Sequence, residues 1–230
     1  MAVTKELVCL ANSRKHGGRC VAGIEIESNN WIRLVSASVS HEVSPRERQY
    51  LGGVEPAVLD IVSMSVVAPR PDGFQRENWL LDPAVRWQKE GRVGWTELCS
   101  LEQRPERLWV NGYQTAAGCN DCVPVEHRDS LVDSLKLIRV ESVTLNVSPA
   151  LPHATDKRPR VRARFEYGNE EYELKVTDPV YEERLRAKVV GSFQLGESYL
   201  TVSLGEEFKG HFYKLVASIV ERDDVEPGGG

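Results

Sequence analysis

The chain has 230 residues, with 34 acidic and 29 basic side chains and a formal net charge of −5. This balance excludes a protein that coats nucleic acid through overall positive charge, so any nucleic-acid contact must be local. Hydrophobic residues make up 41% and charged residues 27%, which is typical of a folded chain and excludes a mainly disordered one. The sequence contains no apolar run of membrane-spanning length and an odd number of cysteines, and these features predict a cytoplasmic protein without membrane contact.

Residues 5–36 predict a three-stranded antiparallel meander whose first two strands are joined by a long basic loop. Between Asn12 and Arg19 the loop has several basic residues and no acidic one, and Gly17-Gly18 would let the backbone approach a ligand closely. In OB-type barrels this loop faces the ligand. The predicted phosphate contacts are Arg14, Lys15 and Arg19, with Asn12, Trp31 and Arg33 as supporting residues. A solvated hairpin loop is the alternative.

The rest of the first half predicts one more clear strand and an insert. Residues 38–57 are polar and interrupted by Gly and Pro, which is typical of a connection outside the core. Ala57–Ala68 predicts a buried fourth strand. Residues 74–110 predict a helical or irregular insert in which Trp79 and Trp87 cover the barrel. The sequence then becomes rich in Gly, Asn, Asp and Ser, and we expect the domain boundary near residue 130.

The second half restarts the strand pattern. Residues 135–147 predict one long strand, bulged near Glu141-Ser142, and Arg160–Tyr167 alternates cleanly before a Gly168-Asn169 turn. A short helix from Pro179 and two final strands follow. The predicted architecture is mainly β: two tandem OB-like barrels with short helical inserts, at residues 1–130 and 131–222, and a flexible tail at 223–230.

Arg160, Arg162 and Arg164 occupy alternate positions of one predicted strand. Their spacing of about 6.6 Å is close to the phosphate spacing of an extended single strand. These three arginines therefore join the candidate phosphate-binding residues. The alternative is an exposed face whose arginines form ion pairs with Glu171 and Glu173 on the neighbouring strand.

Cys119 and Cys122 have the spacing of half a zinc site, but the sequence contains no second pair that would complete four ligands. The favoured interpretation is a metal-free turn held by Asn120 and Asp121 through side-chain to backbone hydrogen bonds. The sequence contains no nucleophile, Walker or HExxH motif, so we expect neither an enzyme nor a cofactor.

Several short segments together resemble the dual OB-containing domain family, small prokaryotic proteins or domains associated with bacterial conflict and defence gene neighbourhoods. They are KELVCLANSRKHGGRCVAG at the start, WIRLVS, QRENW (75–79), CNDCV (119–123), SLKLIRV (134–140), VTDP (176–179) and YKLVASIV (213–220). The resemblance covers almost the whole chain. It implies two tandem OB barrels and the recognition of nucleic acid or a nucleotide, within a defence or DNA-processing system.

The sequence therefore predicts a non-catalytic protein that binds nucleic acid, most readily single-stranded DNA or RNA, or a nucleotide. A protein-interaction adaptor or regulatory subunit of a larger complex is the alternative, since strand edges and a net negative charge suit protein partners.

Overall fold

The structure is a computed structural model. The structure describes residues 2–15, 17–39, 41–150, 152, 158–186 and 190–226. The chain forms two compact units: residues 1–102 with 132–134, and residues 103–131 with 135–230. Both units are built mainly from β-strands.

The described part of the first unit contains six strands and one short helix. Their bounds are β1 (Val3–Lys15), β2 (Gly18–Glu25), β3 (Trp31–Val35), β4 (Asp60–Pro69), β5 (Asn78–Leu81), β6 (Gln88–Arg92) and α1 (Trp95–Ser100).

Five of these strands close into a barrel. Along the sheet the order is β1, β2, β3, β5 and β4, and β4 pairs with β1 to complete the ring. The β3–β5 ladder is parallel and the other four ladders are antiparallel. A closed five-stranded barrel with non-sequential strand neighbours is the OB arrangement, which confirms the predicted fold class.

Part of the predicted insert at residues 74–110 differs from the prediction, because β5 and β6 are strands that complete the barrel. β5 and β6 both pair with β4, on successive parts of its length, so they act as two halves of one strand. Trp87, immediately before β6, is fully buried in the core, and Trp79 packs against the same core. The connection after β3 also contributes: Val43 and Tyr50 belong to the core although the segment reads as polar.

The described part of the second unit contains eight strands and three short helical segments. Their bounds are β7 (Cys122–Pro124), a 3-10 helix (Val125–Ser130), β8 (Leu135–Val140), β9 (Val143–Ser148), β10 (Arg160–Tyr167), β11 (Glu170–Val176), α2 (Pro179–Arg186), β12 (Gly191–Leu195), β13 (Ser198–Phe208), β14 (His211–Glu221) and α3 (Arg222–Val225).

The eight strands also contain an OB barrel, because four of them form two interrupted strands. One interrupted strand consists of β8 and β9, and the other consists of β12 and β13. β8 pairs with β13 and β9 pairs with β12, both antiparallel. Val140 pairs with Ser198 on one side of the interruption, and Val143 pairs with Leu195 on the other. Each strand therefore advances by three residues across the interruption, so the ladder continues without an inserted residue. The predicted long strand is therefore interrupted at Glu141-Ser142, and the predicted bulge is absent because no residue is inserted there. With β10, β11 and β14, and a parallel β11–β14 ladder, the ring has the same order as the first barrel.

Residues 103–131 belong to the second unit, so the division differs from the predicted boundary near residue 130. The physical reason is that this segment pairs with the second barrel. Cys119 bridges to Glu173 of β11, and β7 forms a ladder with the start of β14. Leu108 is fully buried in the second core. The first residues of the predicted flexible tail (223–230) belong to α3, and residues 227–230 lie outside the described residues.

Candidate nucleic-acid interface

The hairpin between β1 and β2 is tighter than the sequence predicted. β1 continues to Lys15 and β2 begins at Gly18, and His16 between them lies outside the described residues. Arg19 and Val43 exchange two backbone hydrogen bonds, and a Cβ on Gly18 would lie 3.0 Å from the Val43 carbonyl oxygen. The prediction of a long basic loop is therefore wrong, because Arg14 and Lys15 pair with β2 as part of β1, and Arg19 also pairs with Val43 after β3.

Arg14 and Arg19 are direct cross-strand partners at this hairpin end, and like charges in that position repel. Acidic charge from the same unit lies close by. Arg19 Nε is 4.0 Å from Glu55 Oε2, and Arg48 holds the same carboxylate by two hydrogen bonds of 2.9 Å. Burial alone would raise the pKa of Glu55, but the Arg48 hydrogen bond and the charge of Arg19 keep that pKa below its ordinary value. Phosphate contact by Arg14, Lys15 and Arg19, all half-buried, stays a prediction.

The three supporting residues of the first barrel have structural contacts. The Asn12 side-chain amide donates a 2.9 Å hydrogen bond to the Pro56 carbonyl, and Trp31 is half-buried at the start of β3. Arg33 is only 5% exposed, and its guanidinium lies 3.4 Å from a Glu77 carboxylate oxygen. A guanidinium that is both buried and ion-paired is held by the fold, and a supporting ligand contact by Arg33 stays a prediction.

OB-folds commonly bind ligands on the outer face of their second and third strands. In the first barrel Val21, Ile32 and Leu34 face the core. The side chains that alternate with them face outward and are nevertheless buried, each no more than 5% exposed: Ala22, Ile24, Arg33 and Val35. The outer face of β2 and β3 is therefore not open to solvent.

The equivalent face of the second barrel is accessible. On β10, Val161 and Phe165 are buried, while Arg160 and Arg164 between and beside them are exposed. Arg160 donates a 3.1 Å hydrogen bond to the Pro149 carbonyl. Lys175, outward-facing on β11, is also exposed. This face therefore presents basic side chains to solvent on two adjacent strands.

Arg162 and Arg164 have different surroundings on this face. Arg164 forms a 2.7 Å ion pair with Glu171, as the alternative interpretation expected, but both side chains are largely exposed. Arg162 is mostly buried and donates from Nη2 to Asp121 at 2.6 Å and to the Glu173 carbonyl at 2.7 Å. Arg162 therefore holds the turn at Asp121 against β10, and its phosphate contact stays a prediction.

Asn120 and Asp121 hold the Cys-Asn-Asp-Cys turn as predicted. The Asn120 side chain accepts from the Gly112 N–H at 2.7 Å and donates to the Glu171 carbonyl at 3.0 Å. Asp121 accepts from the backbone N–H and the hydroxyl of Thr115, both at 2.7 Å. The turn is thereby fixed beside β11.

The two cysteines of this turn are thiols in surroundings that disfavour the thiolate. Burial raises the pKa of both Cys119 and Cys122, and the nearby Glu171 and Asp121 carboxylates respectively add to this effect. Metal binding requires the thiolate, so these environments oppose it. Across the described residues, no three His, Cys, Asp or Glu side chains are grouped to hold a metal ion.

A buried lysine lies beneath the same turn. Lys214 on β14 is 1% exposed, and its ammonium donates 2.8 Å hydrogen bonds to the Val110 carbonyl and to Asn111 Oδ1. Asn111 in turn donates to the Tyr172 hydroxyl at 2.7 Å, and the ammonium lies 5.3 Å above the Tyr172 ring. Burial lowers the pKa of Lys214 to about 7, against the opposing charge of Asp121. This network ties residues 110–111 to the barrel.

A groove of about 520 Å³ lies at the end of the accessible face. Its walls come from the interruption between β8 and β9, the end of β10 and the β10–β11 turn. Its charged lining residues are Arg139, Glu141, Arg164, Glu166 and Glu171. Acidic side chains outnumber basic ones in the groove, which includes Arg164, and the other exposed basic residues of the face, Arg160 and Lys175, lie outside its lining.

An aromatic cluster at the β13–β14 hairpin was missed by the sequence interpretation. Phe208 and His211 are direct cross-strand partners, and the Tyr213 ring centroid is 6.3 Å from Phe208 and 6.2 Å from His211. Phe208 is 60% exposed. The sequence does contain a signal for this cluster: Phe208 precedes the Lys209-Gly210 turn, and His211 and Tyr213 follow it at alternate positions.

Two closed barrels with the same strand order, one with an accessible ligand face, define a tandem OB-fold protein. The sequence profile of the dual OB-containing domain matches residues 5–219, and the chain belongs to this family. This confirms the resemblance seen in the sequence. A search of curated proteins found no match. Within the residues that the structure describes, no helix has the length and apolar character needed to cross a membrane.

Proposed function

We propose that the protein is a non-catalytic nucleic-acid-binding protein and that the outer face of the second barrel is its binding surface. The observation that carries the proposal is the contrast between the two barrels. The outward face of β2 and β3 is buried, whereas β10 and β11 present Arg160, Arg164 and Lys175 to solvent. OB-folds that bind single strands use this face, with a basic groove along the backbone.

Phosphate contact requires Arg164 to share or exchange its partner Glu171. The exchange costs little free energy, because an exposed ion pair such as Arg164–Glu171 contributes only about 0–1 kcal/mol to stability. Arg160 already donates to a carbonyl from one guanidinium nitrogen, which leaves its remaining N–H groups for a phosphate. Two arginines four residues apart on one strand are separated by about 13 Å, roughly two phosphate spacings of an extended single strand.

The test is oligonucleotide titration with the double variant Arg160→Ala/Arg164→Ala. We expect weaker binding of a labelled single strand than in the parent protein. The matched control is Arg186→Ala/Arg222→Ala, which removes the same charge from two exposed, ion-paired arginines on α2 and α3. The proposal is wrong if both double variants weaken binding equally, because overall charge would then account for the effect.

A protein-interaction adaptor is the second candidate function. The observation that favours it is that, among the described strands, β6 and β12 each pair along one edge only, which leaves edges for strand addition. The acidic lining of the groove points the same way. An adaptor predicts that the parent protein binds neither single nor double strands at physiological salt. A place in a defence or DNA-processing system, and the cytoplasmic location, stay predictions.

A further inference from the structure

The β13–β14 hairpin presents an aromatic platform with no evident role in folding. Phe208 is 60% exposed, and the Tyr213 ring is tilted by 55° against it at 6.3 Å. Single exposed apolar side chains are common, but here the Tyr213 ring lies beside both Phe208 and His211 at a hairpin tip. Tyr213 limits the rotation of Phe208 from one side, so the Phe208 ring is supported while much of its surface stays in water.

The platform lies on the same side of the sheet as the basic residues. On β14 the buried Phe212 and Lys214 alternate with His211 and Tyr213, which therefore face outward. On β11, Lys175 faces outward by the same alternation. The β11–β14 ladder is parallel, and the Cys119–Pro124 segment pairs with both strands where they separate. The outward faces of the two strands thus belong to one surface.

The hairpin also supplies positive charge beside the rings. Lys209 Nζ lies 5.3 Å from the centre of the Phe208 ring, and Lys209 itself is exposed. A nucleobase that stacks on Phe208 would bring its phosphate within reach of this flexible ammonium. Every nucleobase has a flat π-face, so such a platform binds bases without selecting their sequence.

We propose that Phe208, supported by Tyr213 and His211, is a stacking site for an unpaired nucleobase. The inference rests on the proposed function, since it adds a base contact to the phosphate contacts of β10. It also specifies the ligand: the base must be unstacked from its neighbours to reach the ring, so the site takes single strands in preference to duplexes.

Two substitutions at one position separate stacking from general apolar contact. Phe208→Leu keeps an apolar side chain but removes the π-face, whereas Phe208→Trp keeps and enlarges it. Each should fold normally because the side chain is largely exposed. The probes are an oligothymidylate of about twelve nucleotides and an abasic oligonucleotide of the same length, which retains the phosphates without the bases.

We expect Phe208→Leu to bind the oligothymidylate about fivefold to a hundredfold more weakly than the parent, with Phe208→Trp restoring affinity. On the abasic oligonucleotide the three proteins should bind alike. If Phe208→Leu binds the oligothymidylate as well as the parent does, stacking is refuted, and a continuing effect of Arg160→Ala/Arg164→Ala would leave the proposed function intact. If the parent binds neither probe, both the inference and the proposed function are refuted.

Discussion

Lys214 should make the stability of the protein depend on pH in a way that a surface lysine does not. Its ammonium is buried in the folded protein, where its pKa is lowered to about 7 from an ordinary value of 10.5. Between these two values the unfolded chain binds a proton that the folded protein does not. The free energy of unfolding therefore rises with pH through this window, and below about pH 7 the full cost of burying the charge is present.

The magnitude follows from linkage. One proton of difference contributes about 1.4 kcal/mol per pH unit at most, so Lys214 contributes roughly 1 to 2 kcal/mol between about pH 7 and 8.5. Above this range three thiols oppose the effect. Cys9, Cys119 and Cys122 have raised pKa values in the folded protein, so they keep protons there that the unfolded chain loses. The free energy of unfolding therefore falls as pH rises further. Asp121 and Glu170 lie close enough to the ammonium to favour its charged form, which acts against the effect of burial.

The assay is urea unfolding of the parent and of Lys214→Met at several pH values from about 6 to 8.5, with Lys175→Met as the control. Lys175 is exposed on the neighbouring strand, so its loss should leave the pH slope unchanged. Between about pH 7 and 8.5, the free energy of unfolding of Lys214→Met should rise by roughly 1 to 2 kcal/mol less than that of the parent protein. Equal pH slopes for the parent and Lys214→Met would refute the burial argument.

Three further predictions concern stability and metal content. Gly118→Ala should lower the free energy of unfolding by about 2–4 kcal/mol, because the new Cβ would lie 2.0 Å from the Asp121 carboxylate, which pairs with the mostly buried Arg162. Gly196→Ala is the control: a Cβ there has no atom within 4 Å, so the same thermal melt should show little effect. Arg33→Ala should lower the free energy of unfolding by about 3–5 kcal/mol, because it leaves the buried Glu77 carboxylate without its ion-pair partner. Arg160→Ala should change the free energy of unfolding by no more than about 0.5 kcal/mol, because Arg160 is exposed. Equal effects of the two substitutions on the denaturant midpoint would contradict this distinction. Protein purified without added zinc should contain well under one equivalent by elemental analysis, and a stoichiometric amount held by the Cys-Asn-Asp-Cys turn would contradict the thiol assignment.

Local features of the second barrel could be predicted from the sequence because they depend on neighbouring residues. The alternation along Arg160–Tyr167 gave the strand and its buried face, and Gly168-Asn169 gave the turn, where both residues have positive φ. The turn at Asn120-Asp121 was also predictable, since these side chains cap nearby backbone groups. Each of these inferences needed only residues a few positions apart.

Contacts between residues far apart in the sequence could not be predicted. Arg162 has the same spacing as Arg160 and Arg164, but it pairs with Asp121 from a segment 41 residues away. Arg33 likewise is buried and paired with Glu77, which immediately precedes β5, 44 positions further along the chain. Strand periodicity indicates which face a side chain occupies but not what packs on that face. The same limitation hid the burial of both faces of β2 and β3.

The most direct test of the central claim is the salt dependence of single-strand binding by three proteins: the parent, Arg160→Ala/Arg164→Ala, and Arg14→Ala/Lys15→Ala/Arg19→Ala. If the second barrel makes the phosphate contacts, the double variant should lower the slope of log K against log salt by up to about 1.4, because each lost contact removes roughly 0.7 of a released counterion. The triple variant in the first barrel should keep the slope of the parent. A reduced slope for the triple variant together with an unchanged slope for the double variant would contradict the account.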